Sequence, residues 1–126
     1  DAPAHLSTVL HNVAETDALK CMRPHITKTD KNTRLGKYGD WFTRYNNDQC
    51  LDAVKSYAMI ANKHSLSLTH LSLGFVNKQP FVTSNIIGAT TLEQLKENID
   101  SVEIELSDEI IEEINQVHAL RPNPAP

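Results

Sequence analysis

Ser84-Asn85-Ile86-Ile87-Gly88-Ala89-Thr90-Thr91-Leu92-Glu93-Gln94-Leu95-Lys96-Glu97-Asn98 decides how this chain is read. A short apolar run, Ile86 and Ile87, ends at Gly88, and a helix opens on threonine directly after it. A strand that leads through glycine into a helix N-terminus is a recurrent way to hold a nucleotide phosphate. The first backbone N–H groups of a helix lack intrahelical acceptors, and the helix dipole favours an anion there. Thr90, Gln94 and Asn98 recur every fourth residue and so lie on one face rising from that end. A phosphate at the first turn and a purine further along would suit such a face. The same residues also fit a plain solvated helix, since Thr90 followed by Glu93 reads as a capping box. Spacing alone leaves both readings open.

Residues 86–99 (IIGATTLEQLKENI) resemble the last strand and cofactor helix of the aldo-keto reductases. The nearest branch is the one with the Tas-type reductases and the potassium-channel beta subunits. Upstream, residues 63–80 (KHSLSLTHLSLGFVNKQP) resemble the helix before that strand. Leu35-Gly36-Lys37-Tyr38 and Trp41-Phe42-Thr43-Arg44-Tyr45 are more loosely similar to the preceding loop. Leu106-Ser107-Asp108-Glu109 and residues 118–126 resemble the final helix and tail. The likeness runs from about Arg34 to Pro126, which divides the chain into a poorly matched segment, 1–33, and a cofactor-binding part, 34–126.

The resemblance implies the C-terminal portion of a (β/α)8 TIM barrel, an α/β fold, that binds a nicotinamide dinucleotide, usually NADP(H). By position, Gly88, Thr90, Gln94, Glu97 and Asn98 match residues that contact the adenosine end. Arg34 matches a loop arginine that reaches the cofactor phosphates. Only Lys96 adds positive charge close to Thr90, so a preference for a 2′-phosphate over a free ribose does not follow. The family's catalytic Asp, Tyr, Lys and His precede everything matched here, and residues 1–33 do not resemble that region. The expectation is therefore an oxidoreductase part that holds cofactor, lacks the tetrad and is inactive alone. A non-catalytic nucleotide-binding or protein-interaction module is the alternative.

Composition sets the outer bounds. A chain of 126 residues with 40% hydrophobic and 22% charged residues is that of an ordinary soluble domain. A net charge of −4 argues against a nucleic-acid surface. No apolar stretch approaches the ~20 residues needed to span a bilayer. Cys21 and Cys50 are too few for a disulfide framework, which suits a reducing cytoplasm.

Along the chain, Leu6, Val9, Leu10 and Val13 could make a short amphipathic helix that Pro24 ends. Residues 28–37 read as a loop. Asn46 or Asn47 caps a helix to about His64, with the stripe Leu51, Val54, Tyr57, Ala58 and Ala61. Ser67 caps a second helix that stops before Pro80. Residues 81–87 give the one clear strand. The helix over 91–100 is expected to bury Leu92, Leu95 and Ile99. Ser107 caps a last helix burying Ile110, Ile111, Ile114 and Val117, with Asp108 and Glu109 well placed against its dipole. One strand cannot make a sheet, so the chain by itself should be mainly helical. The strand would need a partner: a strand within 1–33, a second copy of the chain, or the N-terminal half of a barrel.

Other chemistries find less support. His5 and His11, and His64 and His70, are each six apart, which is not the i, i+4 spacing of helical metal ligands, so no metal set is read. Glu112 and Glu113 fit a solvated acidic face. Residues 58–76 have the outline of a helix-turn-helix, but the turn lacks glycine and the second helix lacks arginine.

Overall fold

The computed structural model describes residues 47–124, and they form four α-helices and one short 3-10 turn. In chain order these are α1 (Asp48–Lys63), α2 (Leu68–Asn77), α3 (Leu92–Asp100), the 3-10 turn (Ser101–Glu103) and α4 (Asp108–Leu120). No strand occurs among the described residues, in keeping with a mainly helical chain. Arg34, the loop at 28–37 and the short helix expected near Leu6 lie outside them.

α1 begins where Asn47 Oδ1 accepts from the Cys50 amide at 2.8 Å, an ordinary N-cap. Its buried side is Cys50, Ala53, Val54, Tyr57, Ile60 and Ala61, while Leu51 is exposed. The stripe is therefore turned from the one expected, because Cys50, Ala53 and Ile60 bring the seam toward α4. The Cys50 thiol is free, and burial pushes its pKa up. Burial acts on the Tyr57 hydroxyl in the same direction.

α1 ends in a Schellman arrangement. The Leu66 amide bonds Ala61 O at 2.9 Å and the Ser65 amide bonds Asn62 O at 3.2 Å. Ser65 takes the left-handed conformation, φ 56°, that glycine usually fills at this point. Leu66 then folds back against the core, the apolar contact that accompanies this motif.

α2 is capped by Ser67, whose Oγ accepts from the His70 amide at 3.0 Å. Every residue from 71 to 76 is buried. A helix enclosed on all sides cannot enter a DNA groove, so the helix-turn-helix outline has no exposed recognition face. Gly74 is needed for close approach, since a Cβ there would lie 3.2 Å from Ile104 Cγ2. Ile110 and Ile114 of α4 complete the core with Tyr57, Ile60, Leu71 and Phe75. α4 is capped by Ser107 and carries Asp108 and Glu109 in its first turn, as its sequence indicates.

Two expectations are corrected. Residues 81–87 form no strand: a turn closes from Val82 N to Gln79 O at 3.1 Å, and residues 84–89 then run without ladder bonds. The reason is topological, because no other strand lies among the described residues to share the backbone groups. The second concerns α3, which buries none of its residues. Leu92, Leu95 and Ile99 are 80%, 39% and 57% exposed. The surface this apolar row would cover is not supplied by the residues described.

Candidate functional site

The segment leading into α3 is organised by two side chains of that helix. Gln94 reaches back so that its Oε1 accepts from Thr90 N at 2.8 Å, Thr90 Oγ1 at 2.9 Å and Thr91 N at 3.3 Å. In return, Thr91 Oγ1 accepts from the Gln94 amide at 3.2 Å. The capping box is thus Thr91 with Gln94, one residue beyond the Thr90–Glu93 pair read from the sequence. Both threonines precede suitable partners, and it is the Gln94 carboxamide oxygen that collects the three donors.

One turn on, Asn98 Nδ2 donates to Gly88 O at 2.9 Å. This bond draws the glycine back over the helix face. Gly88 and Thr90 are exposed, and Gln94, Glu97 and Asn98 are half-buried. Five of the six residues singled out by the sequence therefore share one corner, and Arg34 lies outside the described residues. Among the described residues the Leu92 and Glu93 amides have no acceptor, while those of Thr90 and Thr91 are held by Gln94.

Glu97 is fixed from the other side. Ser67 Oγ donates to Glu97 Oε1 at 2.6 Å, and His70 Nε2 lies 3.1 Å from Glu97 O. Ser67 therefore caps α2 and anchors α3 at once. The sequence signalled only the cap, since nothing in local spacing reports a contact thirty residues away. Ser101 Oγ donates to Asn98 O at 2.6 Å and closes the C-terminal end of the helix.

Chemically, the corner offers carboxamides, a hydroxyl pair, one carboxylate and first-turn amides. That donor and acceptor set suits a heterocyclic base, a ribose and an anionic group. It offers no nucleophile–base pair.

A profile of the Aldo/keto reductase family matches residues 11–119. The chain belongs to the aldo/keto reductase family. It is similar to the protein tas of Escherichia coli (strain K12), 47% identical over 85 residues. That match covers 68% of this chain and 25% of the E. coli protein. An aldo-keto reductase of Babesia bovis is 35% identical over 88 residues, covering 68% of this chain and 31% of the relative. An NADH-specific methylglyoxal reductase of E. coli is 31% identical over 68 residues, covering 54% and 21%. The chain thus spans between a fifth and a third of the length of these relatives.

Membership of the family implies a barrel fold, and the described residues are helical with no strand among them. No helix among the described residues is long and apolar enough to cross a membrane.

Proposed function

We propose that this chain is the C-terminal, cofactor-holding part of an aldo/keto reductase. In this reading Gly88, Thr90, Gln94, Glu97 and Asn98 hold the adenosine end of a nicotinamide dinucleotide, NADP(H), and Arg34 adds charge to its phosphates. The observation that carries the reading is the corner itself: Asn98 bonded to Gly88, and Gln94 bonded to Thr90 and Thr91, on the exposed side of one helix start.

The residues present fit the group. Two first-turn amides have no acceptor, and two more are held only by the neutral Gln94 carboxamide, which an anion can replace. With Gln94 Oε1 and one Asn98 Nδ2 hydrogen engaged within the corner, Gln94 still offers amide donors and Asn98 an acceptor oxygen, which together suit a purine edge. The dinucleotide would supply hydride chemistry. The residues of this corner would bind and orient it at a distance from the reacting carbon.

The acid that serves hydride transfer is assigned to the family's preceding barrel half. The exposed row Leu92, Leu95 and Ile99, with Ile86 at 83% exposure, supports an association with that half. Such a surface also favours the barrel over a free-standing module. The cellular setting proposed is cytoplasmic, following the cysteine usage.

Nucleotide titration against Asn98→Ala and Gln94→Ala tests the binding reading. Weakened affinity in both supports it, and unchanged affinity in both overturns it. Loss of absorbance at the reduced nicotinamide band, with an aldehyde and the purified chain alone, would contradict the assignment of catalysis elsewhere.

A further inference from the structure

We propose that His64, Glu109 and Glu113 form a binding site for a zinc-class divalent cation that ties the end of α1 to the first turns of α4. No residue is shared with the Gly88–Asn98 corner, so the proposal stands apart from the cofactor reading. The three side chains offer one imidazole nitrogen and two carboxylate oxygens, all within 4.8 Å of one another.

The donor spacing is compatible with a shared cation. His64 Nε2 lies 3.4 Å from both Oε1 and Oε2 of Glu113. An imidazolium donating to a carboxylate would close to about 2.8 Å. Two donors on one tetrahedral zinc, each with a bond of about 2.0–2.1 Å, sit about 3.4 Å apart. The observed spacing also suits ligands around a shared ion, with Lys63 and His64 hydrogen-bonded to Glu113 in this structure.

The backbone holds this spacing in place. Glu109 and Glu113 are four apart on α4 and share one face. His64 is the C-cap residue of α1, its amide bonded to Ile60 O at 3.2 Å. Ile60 and Ala61 pack in the same core as Ile110 and Ile114, directly beneath the cluster. The donors therefore need no rearrangement of helices to converge.

A positive charge already occupies the position. Lys63 Nζ bonds Glu113 and lies 3.4 Å from Glu109 Oε1. Its side chain is 58% exposed, so the ammonium can swing into solvent when a divalent ion takes both carboxylates. Lysine is thus a competitor in the site. Histidine and carboxylate donors with an open position for water suit zinc better than calcium or magnesium, which prefer all-oxygen shells.

The test is titration of zinc sulfate into the chelator-treated chain at neutral pH, read by competition with a chromophoric chelator. Far-UV circular dichroism confirms the fold of each variant. The expected result is one ion per chain with a Kd below about 100 µM. His64→Ala and Glu113→Gln should each weaken binding by about tenfold or more, in line with the sensitivity of metal sites to their donors. Glu109→Gln keeps the test decisive if Glu113→Gln fails to fold. Lys63→Met should tighten binding, and His118→Ala should leave it unchanged. Absent saturation in the wild-type chain, undiminished binding in His64→Ala, or weaker binding in Lys63→Met would each overturn the proposal.

Discussion

Asn98 Nδ2 donates to Gly88 O over 2.9 Å, ten residues back along the chain. The bond spans the whole entry to α3 and ties the glycine to the helix face. It is exposed, and its contribution to folding is therefore modest, about 0.5–1.5 kcal/mol. Asn98→Ala should change the denaturation midpoint little. Nucleotide affinity should fall about tenfold, because one placed donor–acceptor pair at a ligand is worth roughly 1.4 kcal/mol. Paired thermal melts and fluorescence titrations with reduced dinucleotide check both halves.

The start of α3 offers a second check. Thr91→Ala removes the cap that Gln94 N uses and should cost about 1 kcal/mol of stability. Thr90→Ala removes only one donor to Gln94 Oε1 and should cost less. Chemical denaturation of the two variants side by side gives the order, and the reverse order would restore the Thr90–Glu93 cap.

At Ser65 the left-handed backbone, φ 56°, carries a side chain where glycine is freer. Ser65→Gly should raise stability by up to about 1 kcal/mol, since the Cβ contributes roughly that much strain. A urea midpoint that falls in this variant would show that the hydroxyl has a role the geometry does not reveal.

The pH dependence follows from the ion cluster between α1 and α4. Lys63 first, with His64, holds the Glu113 carboxyl below its usual value. A depressed carboxylate stabilises the fold above its unfolded pKa, and that share is lost as pH falls through the folded value, below about 4.3. Glu113 and Glu109 raise the Lys63 pKa. This contribution is complete below the unfolded lysine value, about 10.4, and is lost as pH rises through the folded one. Lys63→Met should flatten both limbs of a stability profile, with a small amplitude because the pair is solvent-exposed.

Much of this fold could be read from local signals. Asn47, Ser67 and Ser107 sit directly ahead of apolar rows, and each caps its helix in the structure. Side-chain oxygens that precede a helix act within three residues, so the information is local. The strand expected over 81–87 does not form, for the opposite reason. Its apolar residues satisfy the composition of a strand, but ladder bonds depend on a neighbour from elsewhere. Leu92, Leu95 and Ile99 show the same limit, since periodicity identifies a face and not what covers it.

The candidate site divides likewise. Gln94 and Asn98 share a face through helical spacing, while Thr90 precedes the N-cap and joins them only through its bonds to Gln94 Oε1. The clamp from Ser67 and His70 onto Glu97 was not legible, because it joins two helices distant in sequence. Glu113 read as a solvated acid, although it faces Lys63 and His64 across the α1–α4 seam. Contacts between elements carry no periodic trace.

Titration of the chain with adenosine 2′,5′-bisphosphate, followed by backbone amide shifts, addresses the cofactor corner most directly. The account predicts saturable changes centred on Gly88, Thr90, Thr91, Gln94 and Asn98, with the largest at amides now held by Gln94 Oε1. Shifts confined to other helices, or none at saturating nucleotide, would contradict it.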